Sequence, residues 1–232
     1  AVTVQNTQGV YGIEAIRPEI VGGQISAVMD DIHPTAVKIG MVNDAETIHA
    51  IAKTLGRYKD VAVIIDPVMV STSGCRLMQE DALQVFRTEL MPLATLLTPN
   101  VPEAEILSGI KIETVDDMDR AANKICSEAG CAVLVKGGHL DGNTKTDILY
   151  ADGQRVETYE AQTVETRNTH GTGCTLSSAI TAHLALGHTM ADAIRLAKTY
   201  LYKALEAGKD VEIGQGHGPV NHFFNPHPYY TK

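Results

Sequence analysis

The stretch Thr169-His170-Gly171-Thr172-Gly173-Cys174 runs directly into a helix-periodic apolar segment, and it offers more chemistry than any other part of the chain. Two glycines let the backbone come close to a ligand. The free N–H groups of a first helical turn, with the dipole behind them, favour an anion such as a transferring phosphoryl group. Gly171, Thr172 and Gly173 are therefore candidates for holding phosphate. Cys174 falls in the same turn, where the positive dipole end favours thiolate over thiol. A base in that position could take the proton of a substrate hydroxyl as the γ-phosphoryl group arrives. These six residues also suit a plain Gly-rich connection, and most free cysteines are small buried hydrophobes. The position of Cys174 behind two glycines tips the reading towards chemistry.

Three further groups follow apolar runs. Asp66, in Asp66-Pro67-Val68-Met69, ends the most apolar run, where an Asp is either a turn former or a ligand of a site. Thr98-Pro99-Asn100-Val101-Pro102-Glu103 places an Asn and a Glu three residues apart at a helix start. Oxygen ligands of this kind suit Mg²⁺ beside ATP phosphates, although the same spacing is that of a capping box. Lys136, in Lys136-Gly137-Gly138-His139, ends another run and could meet nucleotide phosphate; a solvated lysine is the plainer alternative. His217, His222 and His227 have no metal-ligand spacing and read as structural or solvent-facing.

Several classes are set aside. Gly171-Thr172-Gly173-Cys174-Thr175-Leu176 ends in Leu where a dinucleotide fingerprint wants Gly or Ala, and no strand is expected directly before it. The spacing Gly137 to Gly142 begins like a P-loop, but Asn143-Thr144 follows where Lys-Ser/Thr is required. Cysteines at 75, 126, 131 and 174 form neither a zinc pattern nor a disulfide framework. A net charge of −9 argues against a nucleic-acid partner, and no run of the chain is apolar enough to span a bilayer. The first residues lack the order of a secretion signal, so a cytoplasmic location is expected.

The elements that must position these residues alternate between short β-branched runs and helix-periodic segments, the pattern of an α/β fold with a mainly parallel sheet. Strands are expected at residues 36–40, 61–66, 94–98 and 132–136. Helices are expected at 44–58, capped by Asn43 with Glu46, and from Thr114 with Asp117 to about Gly130. Residues 146–150 and 155–159 flank Asp152-Gly153 as a hairpin, and 173–186 and 190–207 read as two amphipathic helices. No internal repeat or linker divides the chain, and 232 residues fit one domain.

In order and spacing, these motifs resemble the hydroxymethylpyrimidine/phosphomethylpyrimidine kinases, a branch of the ribokinase-like superfamily. The resemblance begins at Gln5-Asn6-Thr7 and Lys38-Ile39-Gly40-Met41 and ends at Gly216-His217-Gly218-Pro219-Val220-Asn221-His222. Cys rather than Asp after Gly-Thr-Gly is similar to this branch and unlike the sugar kinases. The resemblance implies a three-layer α/β/α ribokinase-like fold in a single domain over residues 1–232. It implies phosphate transfer from ATP, with Mg²⁺, to 4-amino-5-hydroxymethyl-2-methylpyrimidine and then to its monophosphate, in thiamine biosynthesis. By motif, Gln5 would hydrogen-bond the pyrimidine, and Met41 and Val68 would line its pocket. Cys174 would be the base, with Gly171 and Gly173 as anion hole. Glu103 would serve the metal, and Asn100, Thr172, Asp66 and Lys136 the nucleotide and its phosphates. A homodimer is expected.

The family carries a strand and a Gly-rich segment ahead of the Gln5 position, which this sequence does not include. An incomplete sequence is expected rather than a natural deletion, because removing a central strand leaves unpaired edge groups. The nearest alternative is a pyridoxal or pyridoxine kinase. A non-catalytic pyrimidine-binding relative is a second alternative, and the retained Cys174, Glu103 and Lys136 argue against it.

Overall fold

The computed structural model describes residues 1–70, 77–138 and 144–226. Cys75, His139, His227 and the Gly142-Asn143 end of the P-loop-like spacing therefore lie outside the described residues.

Four short runs of Val, Ile, Leu and Ala form the parallel strands β3 (Ala36–Ile39), β4 (Ala62–Ile65), β5 (Leu96–Leu97) and β6 (Ala132–Lys136). They adjoin in that order, and the sheet continues antiparallel through β7 (Thr144–Ala151) and β8 (Gln154–Gln162). The β7–β8 turn places Asp152 and Gly153 at φ 51° and 75°, the conformation that Asp-Gly supplies at low cost.

Side chains alternate across a strand, so β4, β5 and β6 each feed two cores. Val63, Ile65, Leu97, Val133 and Val135 pack on one face, while Ile64, Leu96 and Leu134 pack on the other. The first face is covered by α2 (Ala45–Leu55), α3 (Glu80–Val85) with the turns that continue it to Leu93, α4 (Val101–Ser108) and α5 (Val115–Ala129). The second is covered by α6 (Thr172–Ala185) and α7 (Met190–Gly208). The three-layer α/β/α arrangement expected from the sequence is thus observed, with its sheet parallel in four of six strands.

Two elements were not expected. A hairpin of β1 (Val2–Asn6) and β2 (Gly9–Glu14) forms a two-stranded sheet of its own, and α1 (Pro18–Asp31) packs against α2. One expected cap is corrected. Helix α2 is capped by Asp44, whose Oδ1 accepts from Thr47 N at 2.7 Å, and not by Asn43, whose carbonyl instead accepts from Gln79 N at 2.9 Å. Strand β5 is shorter than expected, although Thr95 N and Thr98 N on either side of it still donate to Val63 O and Ile65 O of β4.

Candidate active site

The carboxyl ends of β3, β4, β5 and β6 lie at one edge of the sheet, because the four strands are parallel. Such an edge is where open α/β sheets bind ligands. Met41 follows β3, Asp66 and Val68 follow β4, Thr98 and Asn100 follow β5, and Lys136 closes β6. Backbone bonds hold these exits in step, with Asp66 N donating to Ile39 O and Thr98 N to Ile65 O, both at 2.9 Å.

The N-terminus of α6 is brought to the same edge. Its N-cap, Gly171, stands at φ 83°, a left-handed conformation that suits glycine, and supplies no side-chain cap. Thr172 N donates to Thr169 O at 3.3 Å, whereas the N–H groups of Gly173 and Cys174, in the first turn of α6, have no acceptor within the helix and face the sheet edge. A Cβ on Gly173 would stand 3.4 Å from Lys136 Nζ and 3.6 Å from Asp66 Oδ2. The glycine loop and the strand ends, far apart in sequence, therefore meet face to face.

Beneath that loop lies a buried ion pair. Lys136 Nζ donates to Asp66 Oδ1 at 2.8 Å, with the carboxylate side chain 3% exposed and the lysine 13%. Thr98 Oγ1 also donates to Oδ1, at 3.2 Å, and Ser177 Oγ to Oδ2, at 3.3 Å. Every oxygen of Asp66 is thus occupied, as a carboxylate removed from water requires. Lys136 is no solvated surface lysine; its charge is held in place under the anion loop.

Glu103 completes the charged cluster. It forms the capping box of α4 with Asn100: Glu103 N donates to Asn100 Oδ1 at 3.0 Å, and Asn100 N to Glu103 Oε2 at 2.9 Å. Its other oxygen, Oε1, accepts from Met69 N at 3.4 Å and so ties α4 to the loop after β4. Burial pushes its carboxyl up to about 7, against the pull of the Lys136 ammonium and with a smaller push from Asp66. Of the two readings of the Asn100–Glu103 spacing, the capping box is formed, and the carboxylate lies within electrostatic reach of Asp66 and Lys136.

Cys174 is exposed in the first turn of α6 and lines a groove of about 590 Å³ with Gly171, Thr175, Ser178, Tyr200 and His222. Met41 and Val68 are half-buried at adjoining strand exits. Gln5 is exposed on β1, at the register shift between Val4 and Gln5. His222 is not solitary, for its Nδ1 lies 3.1 Å from Tyr200 Oη. A second groove, about 630 Å³ between α1 and α2, contains none of the expected site residues.

Sequence reasoning missed Thr98 and Ser177 as supports of Asp66, and Asp147 with Lys198 as a second buried pair that accepts from Gly137 N at 3.0 Å. Ser177 had a signal, since it lies one turn beyond Gly173 on the same helical face. Asp147 is cross-strand from Lys136, which only the β6–β7 register reveals.

Among the described residues no three His, Cys, Asp or Glu side chains converge as a metal cage. Asp66 and Glu103 are the acidic residues of this cluster. An anion loop, a held ammonium and a thiol at one sheet edge together fit phosphoryl transfer to a small acceptor.

Comparison with known proteins agrees with that chemistry. A family model described as phosphomethylpyrimidine kinase matches residues 1–221. A hydroxymethylpyrimidine/phosphomethylpyrimidine kinase of Rhizobium meliloti (strain 1021) is 49% identical over 96% of this chain and 84% of that protein. The crystal structure of phosphomethylpyrimidine kinase from Clostridium difficile 630 superposes with a TM-score of 0.76 at 43% identity, covering 88% of this chain and 83% of that one. Pyridoxal kinase from Staphylococcus aureus superposes with a TM-score of 0.84 at 27% identity, over 96% of this chain and 80% of that one. The fold is ribokinase-like, and the chain belongs to the phosphomethylpyrimidine kinase family.

Proposed function

We propose that this protein transfers the γ-phosphoryl group of ATP to the hydroxymethyl group of 4-amino-5-hydroxymethyl-2-methylpyrimidine, and then phosphorylates the monophosphate, as a step of thiamine biosynthesis. The observation that carries the reading is the Lys136–Asp66 pair set under Gly173, with Cys174 in the same helical turn, in a chain of this family.

Cys174 Sγ takes the hydroxyl proton, the freed oxygen attacks the γ-phosphorus, and the bond to the bridging oxygen breaks to release ADP. N–H groups at Gly171–Gly173 receive the charge on the transferring group, and Lys136 balances it from below. Bound Mg²⁺ would neutralise the phosphates, with Asp66 and Glu103 holding it or its waters. Asn100 and Thr172 border the nucleotide phosphates. Met41 and Val68 present apolar surface to the pyrimidine ring, and Gln5 reads its polar edge. The protein acts in the cytoplasm as a homodimer, a state supported by Val2, Val4 and Tyr11, all exposed on the free-standing hairpin.

A pyridoxal kinase is the second reading, because the Staphylococcus aureus enzyme superposes at least as well as the Clostridium difficile one. Shape therefore does not separate the two acceptors, and turnover must. ATP consumption with Mg²⁺ is measured against the hydroxymethylpyrimidine, pyridoxal and ribose, with products identified by mass. A pyrimidine diphosphate is the expected product. A preference for pyridoxal replaces the acceptor, and ligand binding without turnover makes the protein a non-catalytic binder. In Cys174→Ala, turnover falls by at least ~100-fold while ATP binding persists, as befits loss of a general base. Unchanged turnover removes Cys174 from the reaction.

A further inference from the structure

The segment Gly214-Gln215-Gly216-His217-Gly218 has a glycine at every second position, and at each one a side chain would collide with something specific. A Cβ on Gly214 would lie 2.4 Å from Thr7 Oγ1, one on Gly216 2.0 Å from Thr7 O, and one on Gly218 2.0 Å from Asn168 Oδ1. Contacts this short admit no Cβ, so the glycines record a strap, bent at residues 214–217 with Gly214 at φ 68°, pressed between two partners.

One partner is the turn of the β1–β2 hairpin. His217 N donates to Thr7 O at 2.8 Å, Gly216 N to Thr7 Oγ1 at 3.2 Å, and Gln8 Nε2 to Gln215 Oε1 at 3.4 Å. Among the described residues, the hydrogen bonds from the hairpin to the rest of the chain all run to this strap. The other partner is the entry to the anion loop. His170 N donates to Gly218 O at 3.0 Å, Val220 N to His170 O at 3.4 Å, and His217 Nδ1 lies 3.4 Å from Thr169 Oγ1. That side is anchored in turn, because Asn168 Nδ2 donates to Gly208 O and Val211 O, each at 2.7 Å, at the end of α7.

We infer that residues 214–220 are a positioning strap for the acceptor end of the site. They hold the β1–β2 hairpin, and Gln5 with it, at a fixed place relative to the Gly171–Cys174 loop. Thr7 and Gly216 thereby set acceptor affinity without touching the acceptor. This inference rests on the reading of Gln5 as an acceptor-binding residue.

The test is steady-state kinetics with the pyrimidine and ATP varied separately, together with thermal melting. Gly216→Ala pushes the strap off the turn and is expected to raise the pyrimidine KM ~10-fold or more, an effect of about 1.4 kcal/mol, while the ATP KM stays within about twofold. Thr7→Val removes only the hydroxyl acceptor and is expected to raise the pyrimidine KM ~3-fold, within the range of one hydrogen bond, with Thr7→Ser restoring it. In the double variant Gln5→Ala/Gly216→Ala, the pyrimidine KM should be no higher than about that of Gln5→Ala alone. A folded Gly216→Ala with an unchanged pyrimidine KM, or with both KM values raised alike, overturns the strap. If Gly216→Ala shows no cooperative melting, the Thr7→Val and Thr7→Ser pair decides by the same two KM values. Gln5→Ala alone separates the two ideas. No effect there removes Gln5 from the site, whereas the strap stands or falls on Gly216 and Thr7.

Discussion

Glu103 is pulled in two directions by its neighbours. As the capping-box partner of Asn100 and the acceptor for Met69 N it has structural duties that a neutral carboxyl can partly fulfil. In its proposed place beside the phosphates and metal it would have to be ionised. Burial raises it from an ordinary 4.5 to about 7, so the folded state binds a proton that the unfolded state has released across that window. The unfolded chain therefore holds fewer protons there, and this residue's contribution to stability falls as pH rises from about 4.5 to about 7, by an amount on the order of 3 kcal/mol. Glu103→Gln keeps an amide oxygen for the Asn100 N–H but cannot ionise. Its melting temperature relative to the parent should climb between pH 5 and pH 8. The parent's kcat/KM for MgATP should rise through about pH 7 as the carboxylate forms, and the variant should lack that limb. A stability difference that does not change with pH would mean that Glu103 is already ionised throughout, and with it the proposed competition between burial and metal fails.

The α6 N-terminus shows how one element can be fixed by its backbone alone. Its cap is a glycine in a left-handed conformation with open space around the missing Cβ, so Gly171→Ala introduces strain without collision. Roughly 1–2 kcal/mol is expected, lowering the melting temperature by a few degrees in a chain of this size. Turnover should fall further than stability, because the turn that aims the N–H groups is also the proposed phosphate cradle; differential scanning calorimetry and kcat on one preparation compare the two. Strands β3, β4 and β6 were legible in the sequence, because a strand buried on both faces is an unbroken apolar run. Helix α1 was not: Arg17 offers no side-chain cap, Gly22-Gly23 interrupts it, and of its residues only Met29 is buried. Its one readable signal was Pro18 at the first turn. The β1–β2 turn at Thr7-Gln8 carries none of the usual hairpin dipeptides; Asn6 Oδ1, which accepts from Gln8 N at 2.8 Å and Gly9 N at 3.3 Å, and the strap at Thr7 both hold it. In the same way Asp66 and Lys136 were each readable as strand-end residues, but their pairing across 70 positions depends on β4, β5 and β6 lying side by side.

At the scale of the whole molecule, the two cores and the hairpin differ in how firmly they are held. Ile64, Val133, Leu134 and Val135 are fully buried between helical layers, and to free their amides the sheet must open as a unit. The β1–β2 sheet has only two strands, a size that is marginal in isolation, and leaves Val2, Val4 and Tyr11 exposed. Among the described residues, its hydrogen bonds to the rest run to the strap at Thr7. The amides of Thr3, Gln5 and Gly12 should therefore exchange with solvent orders of magnitude faster than those of Val133 to Val135, reflecting local rather than global opening. If the hairpin closes the acceptor site, saturating pyrimidine adds bonds between it and the body and should slow hairpin exchange ~10-fold or more, whereas an ATP analogue should act mainly at residues 171–174 and 136–138. Hydrogen exchange with mass-spectrometric readout, in the presence of each ligand separately, measures both. Equal protection of the hairpin by either ligand would show that it responds to closure of the whole site, and Gln5 would lose its claim to read the acceptor. Protection confined to residues 171–174 with both ligands would place acceptor recognition on the strand ends at Met41 and Val68. Asymmetry between the ligands is the outcome the proposed strap predicts: it joins the hairpin to the loop by backbone contacts at both ends, so an acceptor bound at Gln5 would be felt at Thr7.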